Sequence, residues 1–325
     1  MLPAGIGSLL QLTELRIVGS YGITDGIPAA WSNLTRLEAL ELSGLGGMHG
    51  SLPAAWAAGG LTALSELVLT GMPGVTLPPG PLPHVLAPSN RLTRAVLSDL
   101  DAGTGRTLDP QLPTRYPNLT ELVLPRLALV GSLPVSWSAL GDGRLRVLDL
   151  NSNALSGSLP SWTLAGLAPG ASLNLANNML GGAAAPPAFL ELLQRTRAQQ
   201  QTRMPGSLSS SRDALLSQDR IPRCCDGRCR RPPGTLPQLT VPTGNSSTSG
   251  WPNSVRLSLN KIRGSIPASY LPLILNAHDF SLDNNRLDGS LPSAWYTTPS
   301  ITPRLQYFAI ECAGRSPWLW RAPCI

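Results

Sequence analysis

One recurring pattern constrains the fold of this chain more than any other feature. The string Leu-x-x-Leu-x-Leu is followed repeatedly by Gly-Ser-Leu-Pro or a close relative. Full copies stand at Gly50-Ser51-Leu52-Pro53, Gly131-Ser132-Leu133-Pro134, Gly157-Ser158-Leu159-Pro160, Gly264-Ser265-Ile266-Pro267 and Gly289-Ser290-Leu291-Pro292, with Gly26-Ile27-Pro28 as a shortened form. The centres of the first string fall at Leu15, Leu40, Leu67, Ala95, Leu122, Leu148, Leu173, Val255, Phe280 and Phe308. Neighbouring centres lie 25 to 28 residues apart, with one interval of 82 between Leu173 and Val255. A unit this short cannot enclose a hydrophobic core alone, so it must stack against copies of itself.

The chemistry of one unit follows from residue periods. In Leu-x-Leu the leucines point inward and the residue between them outward, as a strand requires. Each unit therefore adds one short parallel strand. Asn153, Asn178, Asn260 and Asn285 come just after the strand, where an amide satisfies backbone groups left unpaired by the bend. Leu45, Met72, Leu100 and Leu127 take that place in earlier units, which predicts less regular turns there. Glycine then permits positive φ and proline fixes the bend.

The clearest unit is Leu145-x-x-Leu148-x-Leu150-x-x-Asn153-x-Leu155-Ser156-Gly157-Ser158-Leu159-Pro160. It resembles the plant-specific class of leucine-rich repeats, found in receptor-like kinases, receptor-like proteins, polygalacturonase-inhibiting proteins and many green-algal and protist proteins. The resemblance implies an α/β solenoid: a right-handed superhelix of about ten repeats, with a parallel sheet on the concave face and short 3-10 or irregular convex segments. Trp31, Trp56, Trp137 and Trp295 each follow the proline by three residues, with Tyr116 and Tyr270 in register and Trp162 one residue early. A row of aromatics is one form of carbohydrate platform. In this family, however, the column is a buried position on the back of the coil, and core packing is the expectation.

The expected organisation is repeats over 1-182, an insertion over 183-250, repeats over 251-311 and a C-terminal cap over 312-325. Leu2-Pro3-Ala4-Gly5-Ile6 reads as the second half of a unit, so the chain is expected to begin inside a repeat without an N-terminal cap. The 82-residue interval holds roughly 57 residues beyond one repeat. Pro187 to Arg203 has helix-forming composition, and the Ser-, Arg-, Pro- and Gly-rich stretch after it reads as a flexible loop.

Cys312 and Cys324, beside Trp318 and Trp320, read as a cap closed by a disulfide. Cys224, Cys225 and Cys229 lie in the insertion with no histidine nearby, which makes a poor zinc site. A local disulfide with one spare thiol is the other reading, and the odd count leaves pairing open. Asn33, Asn118 and Asn245 fit the N-glycosylation pattern. With the cap disulfide they favour a secreted or cell-surface setting.

Composition narrows the function. The net charge of +6 comes almost wholly from arginine, Lys261 being the one lysine. The densest basic stretch, Arg223 to Arg231, lies in the insertion, and the repeats carry no basic stripe interleaved with aromatics, which argues against a nucleic-acid partner. No run of 18 apolar residues exists to span a membrane as a helix. His49, His84 and His278 fall in different units, and no phosphate loop, nucleophile elbow or zinc-protease helix occurs. The expectation is a non-enzyme without cofactor or metal.

Binding is expected on the outward strand positions. The column between the leucines reads Arg16, Glu41, Val68, Val96, Val123, Asp149, Asn174, Arg256, Ser281 and Ala309. The column before it reads Glu14, Ala39, Glu66, Arg94, Glu121, Val147, Ser172, Ser254, Asp279 and Tyr307. Val68, Val96 and Val123, rimmed by Glu66, Arg94 and Glu121, read as an exposed apolar strip for a protein partner, with a peptide or a polysaccharide-associated partner as the alternatives, and Arg16, Glu41 and Asp149 lie on the same face. The simpler reading is that valine is a good strand former in a neutral position. Beside an extracellular recognition module stand two alternatives: an intracellular scaffold in a large assembly such as a cilium, and a regulatory fragment of a larger receptor or enzyme.

Overall fold

The computed structural model describes residues 2–82, 89–141, 144–160, 162–165, 167–168, 170–181 and 252–287. Its strands are β1 (Glu14–Val18), β2 (Ala39–Ser43), β3 (His49–Ser51), β4 (Glu66–Thr76), β5 (Arg94–Asp101), β6 (Glu121–Val123), β7 (Val130–Gly131) and β8 (Val147–Asp149). They continue as β9 (Ala154–Gly157), β10 (Ser172–Asn174), β11 (Met179–Leu180), β12 (Ser254–Arg256), β13 (Arg263–Gly264), β14 (Asp279–Ser281) and β15 (Arg286–Leu287).

One long parallel sheet runs β1-β2-β4-β5-β6-β8-β10-β12-β14, with β3 paired beside β4. Its register joins Leu15 to Leu40, Leu40 to Leu67, Leu67 to Ala95 and Ala95 to Leu122. It goes on through Leu148, Leu173, Val255 and Phe280, the same centres that the repeat identifies. The chain is thus a parallel-strand solenoid, and the unit at Phe308 lies outside the described residues. β10 pairs directly with β12, Leu173 opposite Val255, so the coil crosses the 82-residue interval without losing register. Short 3-10 turns at Ala29–Asn33, Val135–Gly141 and Ala268–Tyr270 and single α-turns at Ala54–Ala57 and Leu112–Arg115 form the back. On the flank, β7-β9-β11 and β13-β15 make two small parallel sheets that the repeat pattern does not announce.

The core is a stack of leucines. Leu40, Leu67, Leu122, Leu148 and Leu173 are all buried, and each contributes about 1.5–3 kcal/mol through removal of apolar surface from water. The back-side aromatics are core as expected: Trp31, Trp56, Trp137, Tyr116 and Tyr270 rank among the most deeply buried side chains. They also tie neighbouring rungs. Trp31 Nε1 donates to Pro3 O (3.1 Å), Trp137 Nε1 to Asp109 O (2.8 Å) and Trp162 Nε1 to Pro134 O (3.1 Å). Among the described residues Trp56 Nε1 and the Tyr270 hydroxyl, both buried, have no hydrogen-bond partner. Burial raises the Tyr270 pKa and pushes that of Tyr116 up to about 12. Trp295 lies outside the described residues.

The asparagine ladder works as a backbone substitute. Asn178 Oδ1 accepts from Leu155 N (3.0 Å), while its Nδ2 donates to Leu150 O and Leu175 O (both 3.0 Å). Asn153, Asn260 and Asn285 repeat this arrangement. Where Met72 and Leu100 replace the amide, pairing of the long sheet continues: β4 extends over 11 residues and β5 over 8, with Met72 opposite Leu100 and a register shift before Thr76 meets Asp101. At Leu45 and Leu127 β2 and β6 have already ended and the chain turns. The earlier units therefore differ from one another at this position. Without an amide to satisfy them, the backbone groups at Met72 and Leu100 find partners by continuing the ladder.

One side chain staples the extended region. Arg106 donates from Nε to Ala102 O (2.7 Å) and from its terminal nitrogens to Pro78 O (2.6 Å), Gly80 O (2.9 Å) and Leu77 O (3.2 Å). Burial lowers its pKa and the field of Asp101 opposes that shift.

Candidate interaction surface

The outward positions of the long sheet form two chemically different halves. In the first five rungs Arg16 and Arg94 gather the glutamates. Arg16 Nε lies 2.5 Å from Glu14 Oε1, Nη1 3.5 Å from Glu41 Oε2 and Nη2 3.9 Å from Glu66 Oε2. Arg94 pairs with Glu66 through Nη1 and with Glu121 through Nε (3.0 Å). Burial works against the Arg94 charge, but its hydrogen bond to Glu66 and the fields of Glu121 and Glu66 outweigh this and hold its pKa above the ordinary value. These groups are partly solvated, so each pair contributes little stability, on the order of 0–1 kcal/mol. What the network fixes is position.

Burial changes the reading of the valines. Val68 is only 7% exposed, and both guanidinium groups converge on Glu66, two residues before it on the same strand face. Val96 and Val123 are half-buried. The expectation of an open three-valine strip is therefore corrected: Val68 is buried, and only Val96 and Val123 present surface.

From β8 onward the face is polar. Asp149 Oδ1 accepts from Asn151 N (2.9 Å) and Asn151 Nδ2 (2.6 Å), and its Oδ2 accepts from Asn174 Nδ2 (3.0 Å). Arg256 Nε pairs with Asp279 Oδ2 at 2.5 Å, and the Ser258 hydroxyl donates to Asp283 Oδ1 at 2.5 Å. Across the described strands Glu14, Glu41, Glu66, Glu121, Asp149 and Asp279 face Arg16, Arg94 and Arg256. The face is acidic, although the whole chain carries +6. The sequence columns give the residue types; that one arginine reaches three rungs is set by side-chain length and strand spacing.

The remaining candidates scatter. His49 on β3 and His278 before β14 are exposed on different rungs, and His84 lies outside the described residues. So do Cys224, Cys225, Cys229, Cys312, Cys324, Asn245, Tyr307 and Ala309. Asn33 is exposed at the end of a 3-10 turn. The Asn118 amide is engaged, its Nδ2 donating to Asn90 O (2.9 Å) and its Oδ1 accepting from Arg144 Nη1 (3.2 Å). Among the described residues no group of three His, Cys, Asp or Glu is placed to hold a metal ion, and no helix is long and apolar enough to cross a membrane.

Stacked parallel rungs, buried leucines, an asparagine ladder and a back-side aromatic row define a leucine-rich-repeat solenoid, similar in fold to plant receptor ectodomains. Residues 144–164 match the Leucine Rich Repeat family model. A stretch of 67 residues is 46% identical to a calmodulin-binding receptor kinase of Arabidopsis thaliana, covering 20% of this chain and 9% of that protein. Among solved structures, the plant peptide hormone receptor RGFR1 in complex with RGF2 superposes with a TM-score of 0.53 at 18% identity, over 96% of this chain and 41% of that one. The Arabidopsis receptor kinase HAESA, in complex with the peptide hormone IDA and a co-receptor, gives 0.52 at 22% identity, over 92% and 46%. A plant ice-binding protein gives 0.54 at 18% identity, over 90% and 70%. At these identities the structural likeness is one of fold. The chain spans less than half of each of the two receptor chains.

Proposed function

We propose that this chain is a non-catalytic recognition module that binds a protein or peptide across the outward face of its long sheet, at the cell surface or outside the cell. The observation that carries this reading is the pre-ordered face itself. A network of Glu14, Arg16, Glu41, Glu66, Arg94 and Glu121 spans five rungs around the half-buried Val96 and Val123. Charged groups held in place around apolar surface lower the ordering cost of docking and supply specificity. Solved structures that share the fold were determined with peptide hormones, which supports a partner of this class.

The test is affinity capture of a partner with the full chain, followed by two variants. Val96→Asp combined with Val123→Asp puts charge into the face, and Val135→Asp alters an exposed back-side residue. The face variant is expected to weaken capture by more than about tenfold while the back variant binds as wild type. Equal capture by wild type and the face variant, with both folded by far-ultraviolet circular dichroism, removes the proposal.

A further inference from the structure

A second surface lies where each chain segment enters the long sheet, and it follows a rule that is broken once. The residue directly before the first consensus leucine of successive rungs is Gln11, Arg36, Ala63, Arg91, Asn118 and Arg144. Two neighbouring pairs close on themselves, an amide oxygen accepting from the next arginine. Arg36 Nη1 donates to Gln11 Oε1, and Arg144 Nη1 donates to Asn118 Oδ1 at 3.2 Å. In the middle pair the amide is replaced by Ala63, so Arg91 has no side-chain oxygen to hold.

At this place lies a groove of about 480 Å³, lined by Ala63 together with Arg36 and Arg91. The two arginines are two rungs apart, roughly 10 Å at ordinary strand spacing. Thr13, Thr35 and Thr62 supply hydroxyls to its wall, and Glu38 supplies a carboxylate. Among the described residues neither Arg91 nor Glu38 has an ion-pair partner, and the three threonine hydroxyls bond to no protein group. This differs from the next residues along the edge. Ser65, Thr93 and Thr120 spend their hydroxyls on the preceding rung, donating to Glu38 O (2.9 Å), Ser65 O (3.0 Å) and Thr93 O (3.0 Å).

The donor set selects the ligand. Two guanidinium groups call for an anion that can accept paired hydrogen bonds. A carboxylate at Glu38 accepts only, so the same ligand must also carry hydroxyl donors, which disfavours a bare phosphate. Among the described lining residues the apolar surface is limited to the methyl groups of Ala63 and the threonines and the stems of the charged side chains, with no aromatic or branched aliphatic group to anchor a peptide side chain. We infer that the groove between Arg36 and Arg91 binds an acidic sugar, its anionic group replacing the amide oxygen absent at Ala63 and its hydroxyls meeting Glu38 and the threonines. This site is separate from the long-sheet face and does not depend on the function proposed for that face.

Isothermal titration of the full chain with a glucuronate oligosaccharide, the neutral sugar cellotriose and inorganic phosphate tests the inference. Binding of the acidic sugar alone is expected. Ala63→Gln restores the pairing partner for Arg91 and fills the groove without changing charge, and Arg91→Ala removes the cation. Each variant should weaken binding by about tenfold or more, the loss expected for one charge-assisted contact, with the melting temperature unchanged. Equal binding by Ala63→Gln, or phosphate binding as tight as the sugar, would show a diffuse basic surface and overturn the assignment. No acidic-sugar binding by the wild-type chain overturns it outright.

Discussion

At the residue scale, one column of the solenoid shows how the chain bends two residues after the end of each Leu-x-Leu segment. Gly19, Gly44, Gly71, Asp99, Arg126, Ser152, Asn177, Leu259 and Asn284 all adopt left-handed φ, between 53° and 68°. Glycine adopts this conformation freely and asparagine tolerates it, but a branched apolar side chain does so at a cost. Leu259 is the outlier: φ is 55°, and the side chain is 50% exposed, so packing returns little. Leu259→Asn should therefore stabilise the protein by about 1 kcal/mol. A urea midpoint that rises at constant slope verifies the gain, and an unchanged or lower midpoint means that Leu259 has packing worth more than its strain. The consensus strings point to a turn here, but they do not reveal that it is left-handed at a leucine.

Elements show a sharper division between what the sequence contains and what packing decides. The short strands β8, β10, β12 and β14 were legible because Leu-x-Leu and the following asparagine are local signals. The length of β4 was not, since its extension depends on Met72 meeting Leu100 one rung away. Burial of Val68 was equally invisible, since Val96 and Val123 in the same column are only half-buried. The flank groove has a faint signal, the single alanine in a polar column, but that column acquires meaning only once Gln11–Arg36 and Asn118–Arg144 are seen to pair. Within the ladder, Asn260 has the largest task. Its Oδ1 accepts from Leu180 N and its Nδ2 donates to Leu175 O, groups 80 and 85 residues earlier, as well as to Leu257 O. Asn260→Ala leaves those buried groups unpaired and should cost about 3 kcal/mol, at the upper end for a buried polar loss. Chemical denaturation measures it; a loss below about 1 kcal/mol would mean that water replaces the amide.

For the molecule as a whole, a solenoid holds together only through contacts between adjacent rungs, so its cooperativity is no better than its weakest junction. Here the critical junction is between β10 and β12, which pair across the 82-residue interval between Leu173 and Val255. Three register pairs, the Asn260 amide, and hydrogen bonds from Leu175 N to Arg256 O (2.8 Å) and Lys261 N to Leu180 O (2.8 Å) join them. At its edge stands Gly181, with φ of 81° and its N–H donating to Gly157 O at 2.7 Å. A Cβ there would lie 2.6 Å from Ile262 Cα and 2.7 Å from Lys261 O, both backbone atoms that no rotamer change can move. Gly181→Ala therefore strains its own φ and also wedges the two arrays apart, at a cost of about 2–4 kcal/mol. Because that cost falls on one interface, it should split the unfolding and not lower it uniformly. Hydrogen exchange under rising urea is expected to show residues 252–287 losing protection while Leu40, Leu67, Leu122 and Leu148 remain protected, where the wild type opens as one unit. Loss of protection on both sides together in the variant would mean that contacts other than this junction couple the two arrays.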